Sequence, residues 1–118
     1  MPKRTSGTTR RAATKPKPAS VSHEAWLLDH LKKPAGAAAY IEAAIEEGDQ
    51  PALMMALRNV AMAQGGISKI ARKSNLTREA TYRMLSASGN PELRSLTAIL
   101  GAAGLRLSVK PVNKRVAG

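Results

Sequence analysis

Cysteine is absent from this 118-residue chain, as is phenylalanine, and the aromatic set is limited to Trp26, Tyr40 and Tyr82. Without thiols there is no disulfide framework, no thiol nucleophile and no cysteine-held zinc. The two histidines, His23 and His30, stand seven apart, two helical turns from each other, too far for one ion to bridge without other elements. Neither a metal site nor a cofactor is expected. No apolar run approaches the roughly 18 residues that a membrane span needs. The basic N-terminus also lacks the apolar stretch of a secretory signal. A cytoplasmic protein with no membrane partner is therefore expected. With so few aromatics, the core must come from Leu, Ile, Met, Val and Ala, which suits closely packed helices better than a sheet.

Charge is what the chain has in excess. Nineteen Lys and Arg against eight Asp and Glu give a net charge of +11 and a pI near 10.8. So basic a balance on one small domain favours an anionic partner, and nucleic acid is the usual one. The charge is also unevenly spread. Residues 24–60 hold the acids Glu24, Asp29, Glu42, Glu46, Glu47 and Asp49 against Lys32, Lys33 and Arg58. Residues 61–105 hold Lys69, Arg72, Lys73, Arg78, Arg83 and Arg94 against Glu79 and Glu92. One acidic half and one basic half point to two differently charged partners.

The length allows one domain with tails. Residues 1–20, MPKRTSGTTRRAATKPKPAS, carry six basic residues, no acid and almost no bulky apolar side chain, and read as a disordered basic arm. The helical domain is expected over 21–110 and a flexible basic tail over 111–118. Ser22 can cap a helix that runs through Lys33, with Trp26, Leu27, Leu28 and Leu31 on its apolar side and Pro34 ending it. A second helix is expected from Ala35 to Glu47, with Ala37, Tyr40, Ile41, Ala44 and Ile45 as one apolar face and Gly48 as its stop. Asp49 would cap a third, with Pro51 in its first turn and Leu53, Leu57, Val60 and Ala61 inward. Asn90-Pro91-Glu92 starts a last helix whose buried stripe is Leu93, Leu96, Leu100 and Ala103. After Gly104, LRLSV at 105–109 alternates like a short half-buried strand, which would need a partner such as its own copy in a dimer.

Between the third and last helices lies GGISKIARKSNLTREATYRMLSASGNP, residues 65–91. A helix-turn-helix needs a small residue where its helices cross, a residue that tolerates positive φ in the turn, and an apolar residue after it. Ala71, Asn75 and Leu76 meet those needs in order. Ile67 and Ile70 would pack the first helix, and Ala80, Met84 and Leu85 the second. Thr77 would cap the second helix and put Arg78 and Glu79 in its first turn. The N-terminal part of such a helix enters the major groove, so Thr77, Arg78, Glu79 and Arg83 would face base edges with Tyr82 beside them. Arginine bonds guanine O6 and N7 together, and glutamate accepts from cytosine N4. Ser68 and Lys69 open the first helix, and Lys73 closes it, where positive charge suits phosphate. The competing interpretation of the same residues is an ordinary helix hairpin with a solvated polar face. The fold class expected is all-α, a small helix-turn-helix bundle of five to six helices with a short C-terminal strand.

The elements AAYIEAAIEEGD, ISKIAR, LTREATYRMLS, SGNP and GLRLSV, taken in order over about residues 37–109, resemble the probable addiction-module antidote family. These are HigA-like antitoxins of the Xre/Cro helix-turn-helix class. The resemblance implies a type II antitoxin that neutralises a small basic RelE/HigB-like toxin, binds double-stranded operator DNA as a homodimer and represses its own operon. It places the recognition-helix roles on Thr77, Arg78, Glu79, Tyr82 and Arg83. Because such toxins are basic, the acidic face of Glu42, Glu46 and Glu47 is the candidate toxin contact. Asn75 stands where the family carries glycine, and Thr81 where it carries an apolar residue, which implies a second helix held less tightly. The alternative function is a stand-alone phage- or plasmid-type repressor with no toxin. An enzyme is not expected, because no nucleophile–base pair, phosphate-cradling glycine loop or metal-ligand cluster is present.

Overall fold

The structure, a computed structural model, describes residues 22–112. The arm expected over 1–20 and the tail beyond residue 112 lie outside the described residues. Those that are described form an all-helical bundle of six helices: α1 (His23–Leu31), α2 (Pro34–Glu47), α3 (Gln50–Ala63), α4 (Ile67–Lys73), α5 (Arg78–Met84) and α6 (Leu93–Ala102).

Local chemistry sets most of the boundaries. Ser22 Oγ accepts from the Ala25 N–H at 3.1 Å and satisfies one of the open donors at the start of α1. That helix stops at Leu31, two residues short of Lys33, and Pro34 opens α2 instead of merely closing α1. A proline lacks an N–H that the first turn would leave unpaired anyway. Gly48, at φ 73°, ends α2 in the left-handed conformation. Asp49 does precede α3, but its side chain makes no capping bond, and Pro51 in the first turn removes one of the donors it would have served.

The core is aliphatic throughout. Leu31, Ile41, Met54, Leu57, Val60, Ile67, Ile70, Leu85, Ile99 and Leu100 form one buried cluster, with Leu27, Leu28, Tyr40, Leu53, Leu76 and Leu96 packed on its rim. A side chain the size of leucine or isoleucine, fully buried, contributes about 2 kcal/mol of transfer free energy. Helix α3 lies at the centre, touching α1, α2 and α4, while α4 in turn packs on α5 and α6. Polar cross-ties join the layers: Asn59 Nδ2 donates to the Tyr40 hydroxyl at 2.9 Å, and Gln64 Nε2 to the Leu31 carbonyl at 3.3 Å.

Three sequence expectations are corrected. Ile45 is 51% exposed, so the apolar face of α2 ends with Ala44. Leu93 is 69% exposed, because it is the first residue of α6 and projects beyond the bundle. No strand forms at 105–109: past the Leu105 N–H, which donates to the Leu100 carbonyl at 2.8 Å, no residue up to Val112 shares a backbone hydrogen bond with another described residue. Alternating side chains cannot make a ladder without a second backbone to bond.

Candidate nucleic-acid interface

Helix α4 begins after Gly65 and Gly66, both at positive φ (111° and 107°), which lets the chain turn sharply out of α3. Ile67, Ile70 and Ala71 face inward, and the opposite side presents Ser68, Lys69, Arg72 and Lys73 to solvent. The Lys69 stem folds back across Gly65, close enough that a Cβ there would lie 2.6 Å from Lys69 Cδ.

The turn matches its sequence signature. Asn75 sits at φ 61°, the one non-glycine residue at positive φ among the described residues. The Leu76 N–H then reaches back to the Ala71 carbonyl at 2.9 Å, closing the end of α4. Ser74, the residue before the turn, is buried, and its Oγ donates to the Ile70 carbonyl (2.7 Å) and lies 3.3 Å from the Ala98 carbonyl. The turn is thereby fixed to α6 as well as to α4.

Thr77 caps α5 as expected, its Oγ1 accepting from the Ala80 N–H at 3.0 Å. Removing that acceptor exposes an unpaired donor, so Thr77→Ala is expected to lower stability by about 1 kcal/mol, while Thr77→Ser retains it. A denaturant midpoint reads the difference. Thr81, the apolar-to-polar departure, is fully buried at 0% exposure. Its Oγ1 donates to the Thr77 carbonyl at 2.8 Å, so the hydroxyl enters the core already partnered.

With Thr81 turned inward, α5 presents Thr77, Arg78, Glu79, Tyr82 and Arg83 outward, all exposed. At 100° per residue, Arg78, Glu79, Tyr82 and Arg83 fall on one side of the helix. The Arg78 guanidinium sits 5.6 Å from the centre of the Tyr82 ring. A cation over that face pre-orders a long side chain which would otherwise lose rotamer freedom on binding. Glu79 and Arg83, also four apart, form no ion pair with each other or with another described residue.

The far end of α5 is held by residues that carry no local sequence signal. Arg58 Nη1 on α3 donates to the Leu85 carbonyl, and Gln50 Nε2 donates to the Gly89 carbonyl at 3.0 Å. Gly89 closes against α5 so tightly that a Cβ would lie 1.9 Å from the Met84 carbonyl oxygen. Arg58 read in sequence only as a stray base in the acidic half; its partner, 27 residues away, is a backbone atom and leaves no mark in composition.

Glu42, Glu46 and Glu47 are exposed on α2, away from α4 and α5 in the chain and on a helix that touches neither. The structure thus puts the two candidate surfaces on different helices. Glu42 meets Lys110 at 4.0 Å, the single ion pair among the described residues and an exposed one. Among these residues no group of three or more His, Asp or Glu could hold a metal ion, and no helix is long and apolar enough to cross a membrane.

An uncharacterized protein of Haemophilus influenzae (strain ATCC 51907 / DSM 11121 / KW20 / Rd) is 28% identical over 82 residues, covering 70% of this chain and 84% of that relative. No solved structure matches the chain. The family model described as probable addiction module antidote protein matches residues 24–111, which takes in all six helices and the segment after them. The chain belongs to the probable addiction module antidote family, the antitoxin side of a toxin–antitoxin module.

Proposed function

We propose that this antitoxin, of the HigA-like Xre/Cro type, neutralises a small basic RelE/HigB-like toxin and, as a homodimer, binds operator DNA to repress its own operon. The observation that carries the DNA half is the capped α5, with Arg78, Glu79, Tyr82 and Arg83 on one exposed side after a left-handed turn at Asn75. Arg78 and Arg83 read bases, Glu79 accepts from cytosine or orients an arginine, and Tyr82 steadies Arg78. Thr77 adds a hydroxyl at the groove edge. Ser68, Lys69 and Lys73 lie on the outer side of α4 and meet phosphate, which sets orientation without reading sequence. The excess of positive charge in residues 61–105 favours encounter with any DNA.

The toxin half rests on family membership and on the acidic face of α2, complementary to a basic partner. A pull-down from the native host with the tagged chain tests it. Stoichiometric recovery of a small basic protein encoded beside the gene supports the antitoxin; recovery of DNA without a protein partner leaves a stand-alone repressor.

The two classes of DNA contact separate by titration on operator and on random DNA. Arg78→Ala is expected to cost about 1–3 kcal/mol on the operator and to relax preference at one base pair. Lys69→Ala is expected to weaken both DNAs alike and flatten the salt dependence by about one counterion. Equal losses on both DNAs for Arg78→Ala would remove it from the base-reading set.

A further inference from the structure

Of the aromatic and imidazole rings in the chain, His23, Trp26, His30, Tyr40 and Tyr82, the first four meet in one place. They line an open cavity of about 330 Å³ between α1 and α2, at the low end of the roughly 300–1,000 Å³ of small-molecule sites. At about 100° per residue, His23, Trp26 and His30 share one face of α1, and the two carboxylates of that helix, Glu24 and Asp29, lie off it and outside the cavity lining. The His30 imidazole stacks on the Trp26 indole almost parallel, with 4° between planes and 5.3 Å between centres. His23, exposed and one turn earlier, meets Trp26 at 6.0 Å and a 32° tilt. Two of the rings are held from other elements. A Cβ at the buried Gly36 would lie 2.5 Å from the His30 carbonyl oxygen and 3.0 Å from its Nε2, so α2 closes directly on that histidine. The Tyr40 hydroxyl accepts from Asn59 Nδ2 at 2.9 Å. Rings fixed in advance lose little freedom when a flat ligand joins them.

We propose that this pocket stacks an unpaired base of a single-stranded nucleic acid, a contact separate from the duplex-reading face of α5. An unpaired base offers a flat face, which extends the Trp26–His30 stack by displacing the exposed His23 ring. It also offers polar edges, which the imidazole nitrogens and the Tyr40 hydroxyl can meet. Bases within a duplex do not fit, because their faces are covered by their neighbours and only their edges reach the grooves. The phosphates are drawn by charge. Residues 1–33 hold eight Lys and Arg against Glu24 and Asp29, and Lys32 and Lys33 follow α1 directly. A cationic ligand would also suit the rings, but a chain of net charge +11 repels it. Helix α1 packs on α2 and α3 and touches neither α4 nor α5, so a strand held here does not need the α5 face.

Trp26 is the chain's single tryptophan, so its fluorescence reports the pocket directly. An oligouridylate of about ten nucleotides and its deoxyribose counterpart are titrated into the full chain, with an abasic strand of equal length as the charge control. Saturable quenching by a base-bearing strand and not by the abasic one is expected, and the tighter of the two sugars names the strand as RNA or DNA. Trp26→Leu, followed by the anisotropy of a labelled strand, is expected to weaken binding about tenfold, and Trp26→Phe, which retains a ring, less than about threefold. Ala39→Glu sets a carboxylate at an exposed position of the cavity wall and is expected to weaken binding by a similar factor with the helical spectrum unchanged. All three variants are expected to bind duplex operator as the native chain does, so failure here and failure of the α5 reading are told apart. Equal binding of abasic and base-bearing strands, or a single-strand affinity unmoved by Trp26→Leu and Ala39→Glu, overturns the proposal. So does loss of toxin capture in Ala39→Glu with single-strand binding intact, because the pocket would then be a protein contact.

Discussion

Gly89→Ala is expected to lower the unfolding free energy by about 3 kcal/mol, although it adds a single methyl group in a loop. The added Cβ would meet the Met84 carbonyl oxygen at 1.9 Å, the Met84 carbonyl carbon at 2.5 Å and the Arg83 carbonyl oxygen at 3.0 Å. All three are backbone atoms in the last turn of α5, so no side-chain rotation relieves the overlap. Either the loop lifts away or α5 shifts. If the loop lifts, the bond from Gln50 Nε2 to the Gly89 carbonyl lengthens and breaks; if α5 moves, the bond from Arg58 to the Leu85 carbonyl is lost. For a domain of this size the expected fall in Tm is on the order of 15 °C. A second consequence is functional. Displacing α5 moves Arg78 and Arg83 together, so operator affinity should drop even where the variant is folded. Gly101→Ala is the control, since nothing lies within 4 Å of its Cβ position and it sits near the exposed end of α6. That variant is expected to match or slightly exceed the native Tm, by up to about 1 kcal/mol in stability. Equal Tm for the two variants would mean that the loop is free to move and that the recognition helix is not held from this side.

Gly89 also marks where sequence reasoning reaches its limit. The helices themselves are legible, because capping and stop signals act over three or four residues: Ser22, Gly48, Asn75 and Thr77 each do locally what their chemistry prescribes. The candidate reading face is legible for the same reason, since Thr81 must turn inward if Arg78, Glu79, Tyr82 and Arg83 turn outward. What local pattern cannot carry is the distance between elements remote in the chain. Gly89 is glycine because of Met84's backbone, not because of a positive φ, and Arg58 matters because the Leu85 carbonyl is within its reach. Ile45 and Leu93 fail differently. Their helical positions are right for burial, but no neighbouring element among the described residues covers them. The strand at 105–109 fails in the same way, for want of a second backbone.

Reversing the charge of the acidic face, with Glu42, Glu46 and Glu47 all changed to lysine, is expected to weaken toxin binding by about 3 kcal/mol, more than 100-fold in affinity. The reasoning starts from what these residues do not do. All three are exposed, and the one ion pair among them, Glu42 with Lys110 at 4.0 Å, is solvent-screened and contributes little to stability. A fold that does not need them should keep its Tm when they change. A basic toxin, by contrast, would meet three positive charges in place of three negative ones, which slows encounter and leaves its own cations unpaired in the contact. The loss should shrink as salt rises, because the association rate carries much of it. Glu42 and Glu46 also border the groove beside the C-terminal segment, whereas Glu47 does not. Glu47→Lys alone therefore separates the two surfaces. If it weakens toxin binding without changing the sedimenting mass, the toxin is recognised by the acidic face itself. If toxin affinity is unmoved in the triple variant, α2 is only a solvated helix, and the toxin contact has to be sought on another surface of the chain.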